Sequence, residues 1–384
     1  MMLRPKVLVF IDWFLPGYKA GGPIRSCVNM MNHLDDHNFY VVCGDRDYMD
    51  TKEYEGITFD KWNELSPNIN VKYLSLEKQT KETYKDIIEE GQYDHIYING
   101  IYSKRFSILP LQVARKHSYP ITVSVRGMLK DSAIAVKKIK KTLFLRYARY
   151  TGLYKNVTFH VTNNLEKIDV EKRISKNVLT IVAPNLPKKV VFQGNVPPKK
   201  SVGSLRILSL ARIAPEKNLL FALQTLSNID PDIKVDFDIY GSKYDRNYWN
   251  DCEAVISDLG ENITVIYKGV LHPNVIEKTT QQYNLMFLPT RGENFGHVII
   301  ESLISGIPVL ISDQTPWNHI KEIGVGFVES LTNQGAFVEV INRLGKEDQK
   351  WMNEINEACF LFSKKYTQDP AAIALNKNLF LPHE

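Results

Sequence analysis

The 384-residue sequence has few cysteines, no long apolar run and no strong excess of charge of either sign. Its four cysteines show neither a CxxC pair nor a cysteine–histidine spacing, so neither a disulfide framework nor a zinc site is indicated. No apolar run approaches the about 20 residues that a membrane-spanning helix needs. The net charge of +5 is small, and no motif of basic and aromatic residues indicates nucleic-acid binding. We therefore expect no metal, no cofactor and no nucleic-acid partner.

The composition is that of a globular protein long enough for two domains. Hydrophobic residues make up 44% of the chain and charged residues 24%. A length of 384 residues exceeds what one core usually serves. The first residues run directly into an apolar strand at 7–11 rather than into the hydrophobic region of a signal peptide. Together with the cysteine pattern, this predicts a reduced, cytoplasmic location.

Short apolar runs alternate with amphipathic stretches along both halves of the chain, a pattern typical of parallel sheets covered by helices. We predict an α/β protein with a first domain at 1–187 and a second at 205–362. The segment 188–204 between them contains paired lysines and Pro197-Pro198, which indicates a linker.

One stretch of the second half carries the most informative chemistry. An apolar strand at 284–288 is followed by a loop with two glycines, then by a helix that stops near Gly306, then by a strand from Val309. In such a βαβ unit the loop lies at the carboxyl edge of the sheet, where open α/β folds bind ligands. The amides of Phe295, Gly296 and His297 begin the helix and suit an anion.

Two glutamates flank this anion site. Glu293 precedes the helix and Glu301 lies within it; taken alone, they read as a dipole-compensating acid and a solvated helix residue. The string ENFG at 293–296, with Glu301 and Gly306 at their spacings, resembles the E-x7-E signature of the retaining family 4 glycosyltransferases, bacterial surface-polysaccharide members of glycosyl transferases group 1. The resemblance implies the GT-B architecture, two Rossmann-like doubly wound parallel-sheet domains facing across a cleft. It also implies that residues 363–384 form a helix that returns to the first domain.

Two further strand–loop–helix junctions suit phosphate. Gly21 and Gly22 follow the first strand, where glycine lets the backbone approach a ligand closely, although such a pair is often only a turn. Arg212 and Lys217 follow the strand at 205–210, where a guanidinium fork and an ammonium could clamp a diphosphate. The resemblance assigns both loops to the substrate and the glycines at two later strand ends to the nucleotide base. The donor-binding residues that it implies are Gly21, Gly22, Arg212, Lys217, Gly241, Gly269, Glu293, Asn294, Phe295, Gly296, His297 and Glu301.

Arg126 begins an RGML run at another strand end. Many members of the resembled family have histidine at this position, and a subgroup of bacterial polysaccharide enzymes has arginine. The resemblance therefore implies an electrostatic contact of Arg126 with the reacting sugar or the acceptor. A salt-bridged loop residue is the alternative. With Arg126, the catalytic residues implied are Glu293, Arg212 and Lys217.

Two other charged segments need an interpretation. Asp45 and Asp47 form a DxD pair, the metal-binding mark of another glycosyltransferase fold, but nothing nearby supports it and we expect a surface loop. Residues 130–155 carry eight Lys and Arg residues against Asp131, with apolar residues interleaved. This pattern predicts one basic amphipathic helix that contacts an anionic membrane surface at the inner face of the plasma membrane, or a solvated helix that covers the sheet and whose lysine and arginine stems shield apolar surface.

The resemblance implies a metal-independent retaining hexosyl- or N-acetylhexosaminyltransferase. Its donor would be a nucleotide-diphosphate sugar, UDP- or GDP-linked, and its acceptor a lipid-linked glycan. Three alternatives remain open: a glycoside hydrolase, whose two carboxylates would sit across the scissile bond, a sugar-nucleotide epimerase of the same fold, and a non-catalytic sugar-nucleotide-binding protein.

Overall fold

A computed structural model describes residues 4–135, 137–190 and 196–381. The chain divides into two compact units. Unit one comprises Met1–Lys189 and Asp369–Glu384, and unit two comprises Val190–Gln368. Residues 191–195 of the predicted linker lie outside the described residues. The last part of the linker, 196–204, belongs to unit two. There the buried Lys200 donates from Nζ to the carbonyl oxygens of Gly345 at 3.3 Å and Glu347 at 2.7 Å.

Unit one contains an eight-stranded sheet in the order β3-β4-β2-β1-β5-β6-β7-β8. All neighbouring strands are parallel except β3 and β4, which form an antiparallel pair at one edge. The central strands are apolar and buried on both faces, as expected for a sheet covered by helices on both sides. The strands are β1 (Lys6–Phe10), β2 (Asn38–Gly44), β3 (Trp62–Ser66), β4 (Ile69–Leu74), β5 (His95–Asn99), β6 (Ile121–Ser124), β7 (Thr158–Val161) and β8 (Leu179–Val182).

The helices of unit one pack on this sheet. They are α1 (Gly22–His33), α2 (Lys81–Glu90), α3 (Leu109–Ala114), α4 (Asp131–Ala135), α5 (Lys138–Tyr150), α6 (Asn164–Arg173) and, from the C-terminal segment, α14 (Pro370–Lys377). In α14, Asn376 donates to the carbonyl oxygen of Pro184 at 2.9 Å. Phe380, just after it, packs against Phe39 and Tyr97 in the core of unit one. Of the segment predicted to return, residues 363–367 instead belong to the preceding helix, and 382–384 lie outside the described residues.

Unit two contains a six-stranded, fully parallel sheet in the order β11-β10-β9-β12-β13-β14. Its strands are β9 (Ser204–Leu210), β10 (Lys234–Tyr240), β11 (Ile263–Gly269), β12 (Leu285–Leu288), β13 (Val309–Ser312) and β14 (Gly326–Glu329). Its helices are α7 (Leu219–Leu226), α8 (Arg246–Ser257), α9 (Ile276–Thr280), α10 (His297–Ile304), α11 (Ile320–Ile323), α12 (Gln334–Lys346) and α13 (Gln349–Thr367). The prediction of two doubly wound parallel-sheet domains is confirmed.

Two local predictions are wrong. Residues 130–155 form two helices, α4 and α5, because Lys137 adopts a left-handed conformation with φ of 62° that ends helical continuity; Val136 lies outside the described residues. Asp45 and Asp47 are buried rather than at the surface. Asp47 accepts hydrogen bonds from the amides of Tyr18 at 2.8 Å and Lys19 at 3.1 Å, so this carboxylate holds the loop that leads into α1.

Each sheet has one place where the strand order reverses. In unit one, β1 pairs with β2 on one side and with β5 on the other. In unit two, β9 pairs with β10 and with β12 in the same way. The loops after β1 and β5, and those after β9 and β12, therefore leave their sheets in opposite directions and open a crevice at the carboxyl edge.

The end of β10 shows where the fold itself requires glycine. Gly241 has φ of 150°, and a Cβ built on it would lie 1.8 Å from the carbonyl oxygen of Ala211. Gly269, at the end of β11, has φ of 80°, but no described atom would lie within 4 Å of its Cβ. The backbone of Gly241 is therefore part of the packing between β9 and β10, whereas Gly269 faces open space.

Gly241→Ala should lower the free energy of unfolding of unit two by about 3 kcal/mol or more, because the methyl group would overlap a neighbouring strand end. Gly269→Ala is the matched control and should lower it by about 1 kcal/mol, the cost of a left-handed alanine. Urea denaturation followed by circular dichroism measures both values. Equal losses in the two variants would contradict this account of the β9–β10 junction.

Candidate active site

The two loops at the crevice of unit two are joined side by side. The amide of Arg291 and the hydroxyl of Thr290 both donate to the carbonyl oxygen of Glu216, at 2.8 and 3.0 Å. Beyond this junction Lys217 Nζ lies 2.5 Å from Glu293 Oε1, with side chains only 18% and 12% exposed. Two residues predicted to act on the same ligand thus form one ion pair across the crevice.

Arg212 lies in the loop after β9, together with Lys217. Its guanidinium lies over the ring of Tyr244, 5.3 Å from the ring centre, and donates to the carboxylate of Glu216 at 3.2 Å. This arrangement leaves the guanidinium partly exposed, with one face covered by an aromatic ring. The structure thus places both predicted cations in one loop, each beside a carboxylate.

The helix after β12 begins at His297, two residues later than predicted. Gly296 is the N-cap residue of α10, with φ of 79°, and Phe295 lies in the loop before it. Among the described residues no side chain caps this helix start, and the positive end of its dipole suits an anion. Two contacts hold the loop in place. The indole of Trp317 donates to the carbonyl oxygen of Phe295, and the ring centres of Phe295 and His297 lie 4.7 Å apart.

The remaining predicted residues of unit two occupy the same edge. Asn294 follows Glu293 in the loop, and Glu301 lies partly exposed further along α10. Gly241 and Gly269 end adjacent strands, and the amide of Gly241 donates to the carbonyl oxygen of Gly269 at 2.8 Å. Strand ends β9, β10, β11 and β12 therefore contribute all of these residues from one side of the sheet.

In unit one, the loops after β1 and β5 also meet at their crevice. Ser103 Oγ donates to Asp12 Oδ1 at 2.5 Å, and burial raises the pKa of Asp12 above its usual range. Gly21, with φ of 71°, is the N-cap residue of α1, and Gly22 is the first residue of that helix. A Cβ at either glycine would meet no described atom within 4 Å. Contacts with residues distant in the chain therefore do not explain the glycine at 22, while the adjacent Pro23 disfavours a Cβ on helical backbone there.

Arg126 lies at the end of β6 with a left-handed backbone, φ of 48°. Its guanidinium donates from Nε to Asn99 at 2.9 Å, from one terminal nitrogen to Asn185, and from the other to the hydroxyl of Tyr97 at 2.9 Å. All three acceptors are neutral side chains. The described hydrogen bonds of Arg126 therefore include no salt bridge, which is the alternative interpretation of this residue. These neutral partners leave its positive charge uncompensated at the carboxyl edge of unit one.

The hydrogen bonds behind Arg126 run in one direction. Because Arg126 donates to the Tyr97 hydroxyl, that hydroxyl can donate to Nδ1 of His160, 2.8 Å away. Nε2 of His160 lies 2.8 Å from the carbonyl oxygen of Ala183, to which its N–H donates. Burial, with a smaller contribution from Arg126, lowers the pKa of His160 to about 3. His160 is therefore neutral, which is the state that this chain requires.

Several of these partners carry no recognisable sequence signal. Asn99 and Asn185 each follow a strand, and their position at strand ends is the only hint that they belong to a site. Glu216 stands next to Lys217, but its carbonyl contacts with the loop after β12 depend on the strand order. Tyr97 and His160 lie inside strands and read as core residues.

Replacing His160 should change how stability depends on pH. The folded pKa of about 3 lies below the ordinary value of 6.5, so the unfolded chain binds the extra proton between these values. The free energy of unfolding should therefore fall as pH decreases through this window, by up to about 1.4 kcal/mol per pH unit from this group. His160→Gln should show a shallower decline in urea denaturation at a series of pH values. His272→Gln, at an exposed histidine of unit two, should keep the wild-type slope, and an unchanged slope in His160→Gln would contradict the prediction.

Comparison with known proteins bears on both units. The family model of Glycosyl transferases group 1 matches residues 186–359, which include the crevice of unit two. Two curated proteins are related at low identity. An uncharacterized 41.2 kDa protein in the cps region of Klebsiella pneumoniae is 20% identical over 89% of this chain and 91% of its own length. The alpha-monoglucosyldiacylglycerol synthase of Streptococcus pneumoniae is 22% identical over 67% of this chain and 60% of its own length.

Solved structures share the fold of the whole chain. Sucrose-phosphate synthase from Thermosynechococcus elongatus aligns over 98% of both chains with a TM-score of 0.67 at 15% identity. The HepE protein of Anabaena, solved in complex with UDP and glucose, aligns over 98% of both chains with a TM-score of 0.67 at 14% identity. The chain therefore has the GT-B fold, and its residues 186–359 match the family model of Glycosyl transferases group 1.

Proposed function

We propose that this protein is a retaining glycosyltransferase that moves a hexosyl or N-acetylhexosaminyl group from a UDP- or GDP-sugar to a lipid-linked glycan, without a metal ion. The observation that carries the proposal is the Lys217–Glu293 ion pair, 2.5 Å long, set in the crevice beside the uncapped start of α10. A cation, a carboxylate and the positive end of a helix dipole side by side match the phosphate and hydroxyl groups of a nucleotide sugar.

The diphosphate would be bound by Arg212, Lys217 and the amides at Gly296 and His297. An ammonium has three N–H donors, so Lys217 can hold Glu293 and a phosphate oxygen at the same time. As the bond between the sugar and the diphosphate stretches, negative charge builds on the leaving phosphate. Cations and amides already oriented toward that position stabilise the charge in the transition state more than in the ground state.

The two glutamates would bind the hydroxylated parts of the donor. Glu293, held beside Lys217, would bind sugar hydroxyls, and Glu301 would bind the ribose. With no side chain assigned as nucleophile, retention is proposed to proceed by substitution on the same face of the sugar. The leaving phosphate would accept the proton from the acceptor hydroxyl as the new glycosidic bond forms.

Unit one is proposed to contribute Arg126 and the Gly21–Gly22 loop. The uncompensated guanidinium of Arg126 suits an anionic group of the acceptor or of the donor. Gly22 has neither a positive φ nor a close neighbour distant in the chain, which leaves its backbone open to the approach of a ligand. Support for the donor comes from the UDP and glucose bound by HepE, and support for a lipid acceptor from the name of the Streptococcus pneumoniae relative.

Two other functions would use the same crevice. A sugar-nucleotide epimerase would convert its donor with no acceptor present, and a non-catalytic binding protein would retain the nucleotide sugar unchanged. Purified protein incubated with UDP-, GDP- and ADP-sugars, with and without lipid-linked acceptors, separates the three. Acceptor-dependent release of nucleoside diphosphate supports transfer, an isomerised sugar supports the epimerase, and tight binding with neither supports the binding protein.

Arg212→Ala combined with Lys217→Ala should lower kcat at least about a hundredfold, because both cations that stabilise the leaving diphosphate are removed. Glu293→Gln should also lower kcat, since an amide donates where the proposal needs an acceptor. Lys234→Ala, an exposed lysine at the opposite edge of the same sheet, is the matched control and should retain activity. A chelator in the wild-type assay should leave the rate unchanged. An active double variant would remove the phosphate clamp from the mechanism.

Gly22→Ala should separate ligand binding from folding. Alanine at the start of α1 should change the free energy of unfolding by no more than about 1 kcal/mol, because its gain in helix propensity is opposed by its contact with Pro23. The added methyl group should nevertheless lower kcat/KM about tenfold or more, because the substrate could no longer approach the backbone. Gly335→Ala, at the start of α12, is the control with the same change in helix propensity and should not alter kcat/KM. Full activity in Gly22→Ala would exclude a role of this loop in substrate binding.

A further inference from the structure

Helix α5 has apolar side chains on two opposite faces. Leu145 and Ala148 on its inner face are buried in the core of unit one. On its other side lie four large residues that the described structure leaves in solvent. These residues, which we call the outer stripe, are Ile139, Leu143, Tyr147 and Tyr150, and their exposures are 76%, 57%, 52% and 93%.

The spacing of the outer stripe makes it one continuous surface. Its members follow each other at intervals of four, four and three residues, which at about 100° per residue places them along one line of the helix. This line lies on the side of α5 away from Leu145 and Ala148. A surface helix that needs only one apolar face for its own core does not require a second, so the fold of unit one does not explain the outer stripe.

The charges around the stripe have a single sign. Lys138, Lys140, Arg146 and Arg149 are exposed on α5, and no acidic residue occurs from 132 to 155. The preceding acid, Asp131, is bound by Arg173 and lies 3.7 Å from Lys172, both on α6. The carboxylate of Asp131 is therefore already paired with basic residues of α6. It does not neutralise the basic residues of α5.

This combination of charge and apolar surface selects the partner. A second copy of the chain docked through the same stripe would bring two rows of cations together without any anion between them, which is unfavourable. A bilayer containing anionic lipids offers phosphate groups for the cations and an apolar layer for the stripe. Tyrosine and the long stems of lysine and arginine are suited to that boundary. We propose that α5 binds an anionic membrane surface through the outer stripe.

The position of α5 gives this contact a use. Near its start, Lys141 Nζ lies 5.1 Å from the ring centre of Tyr102, which stands next to Ser103 at the carboxyl edge of unit one. The start of α5 therefore lies beside the edge that carries Asp12 and Ser103. A lipid-linked acceptor could be taken from the bilayer at that edge. This last step rests on the proposed function, whereas the membrane contact itself does not.

The test uses the full-length protein and needs no sugar donor. Vesicles of phosphatidylcholine alone, and of phosphatidylcholine with phosphatidylglycerol, are sedimented with wild type and variants. Wild type should bind only the anionic vesicles, and less strongly as salt increases. Ile139→Ser combined with Leu143→Ser should lower the partition coefficient at least about tenfold. Lys138→Glu combined with Arg146→Glu should do the same, because the attraction to the anionic headgroups is reversed.

Ile323→Ser combined with Leu361→Ser, at exposed apolar residues of unit two, is the matched control and should bind vesicles like wild type. Thermal unfolding verifies that each variant is folded. Failure of wild type to bind anionic vesicles, equal binding of neutral vesicles, or equal binding by the stripe variant would overturn the proposal. A dimer in sedimentation velocity that dissociates in the stripe variant would assign the surface to self-association instead. Vesicle binding without any sugar transfer would leave this inference standing while the proposed function fails.

Discussion

The candidate active site depends on the position of β9 between β10 and β12. These pairings make the chain leave the sheet in two directions, so that the loops after β9 and β12 meet at the crevice. Glu216 joins the two loops through its carbonyl oxygen, and the Lys217–Glu293 pair lies above that junction. A partly buried ion pair contributes little net stability once its desolvation is counted. Its significance is that it fixes a cation and a carboxylate beside the start of α10.

The glycines of the chain differ in what requires them. Gly241 is required by the fold, because the carbonyl oxygen of Ala211 occupies the space of any Cβ. Gly296 and Gly21 are required by their left-handed backbones at the starts of α10 and α1. Gly22 has neither constraint among the described residues. The same residue type in similar strand–loop–helix junctions thus has a structural reason at Gly241, whereas for Gly22 we propose a ligand-based reason.

The two units present positive charge in different ways. In unit two Arg212 and Lys217 each lie beside a carboxylate, so their positive charges are already partly compensated before an anion binds. In unit one the charge of Arg126 is held by neutral groups and by a hydrogen-bond chain that ends at His160. That chain needs a neutral imidazole, and burial keeps the pKa of His160 low enough to ensure it. Arg126 is thereby fixed in place without being neutralised.

The sequence by itself determined the order of strands and helices, the two parallel sheets, and the identity of the loops at their carboxyl edges. Periodicity and glycine positions report local conformation and burial, and these features depend on near neighbours in the chain. It did not determine the break at Lys137, the burial of Asp45 and Asp47, the edge strand β3, or the partners of Arg126 and Lys217. Those contacts join residues far apart in the chain, 76 positions in the case of Lys217 and Glu293. Only the order of strands in each sheet decides which loops become neighbours, and therefore which charges meet.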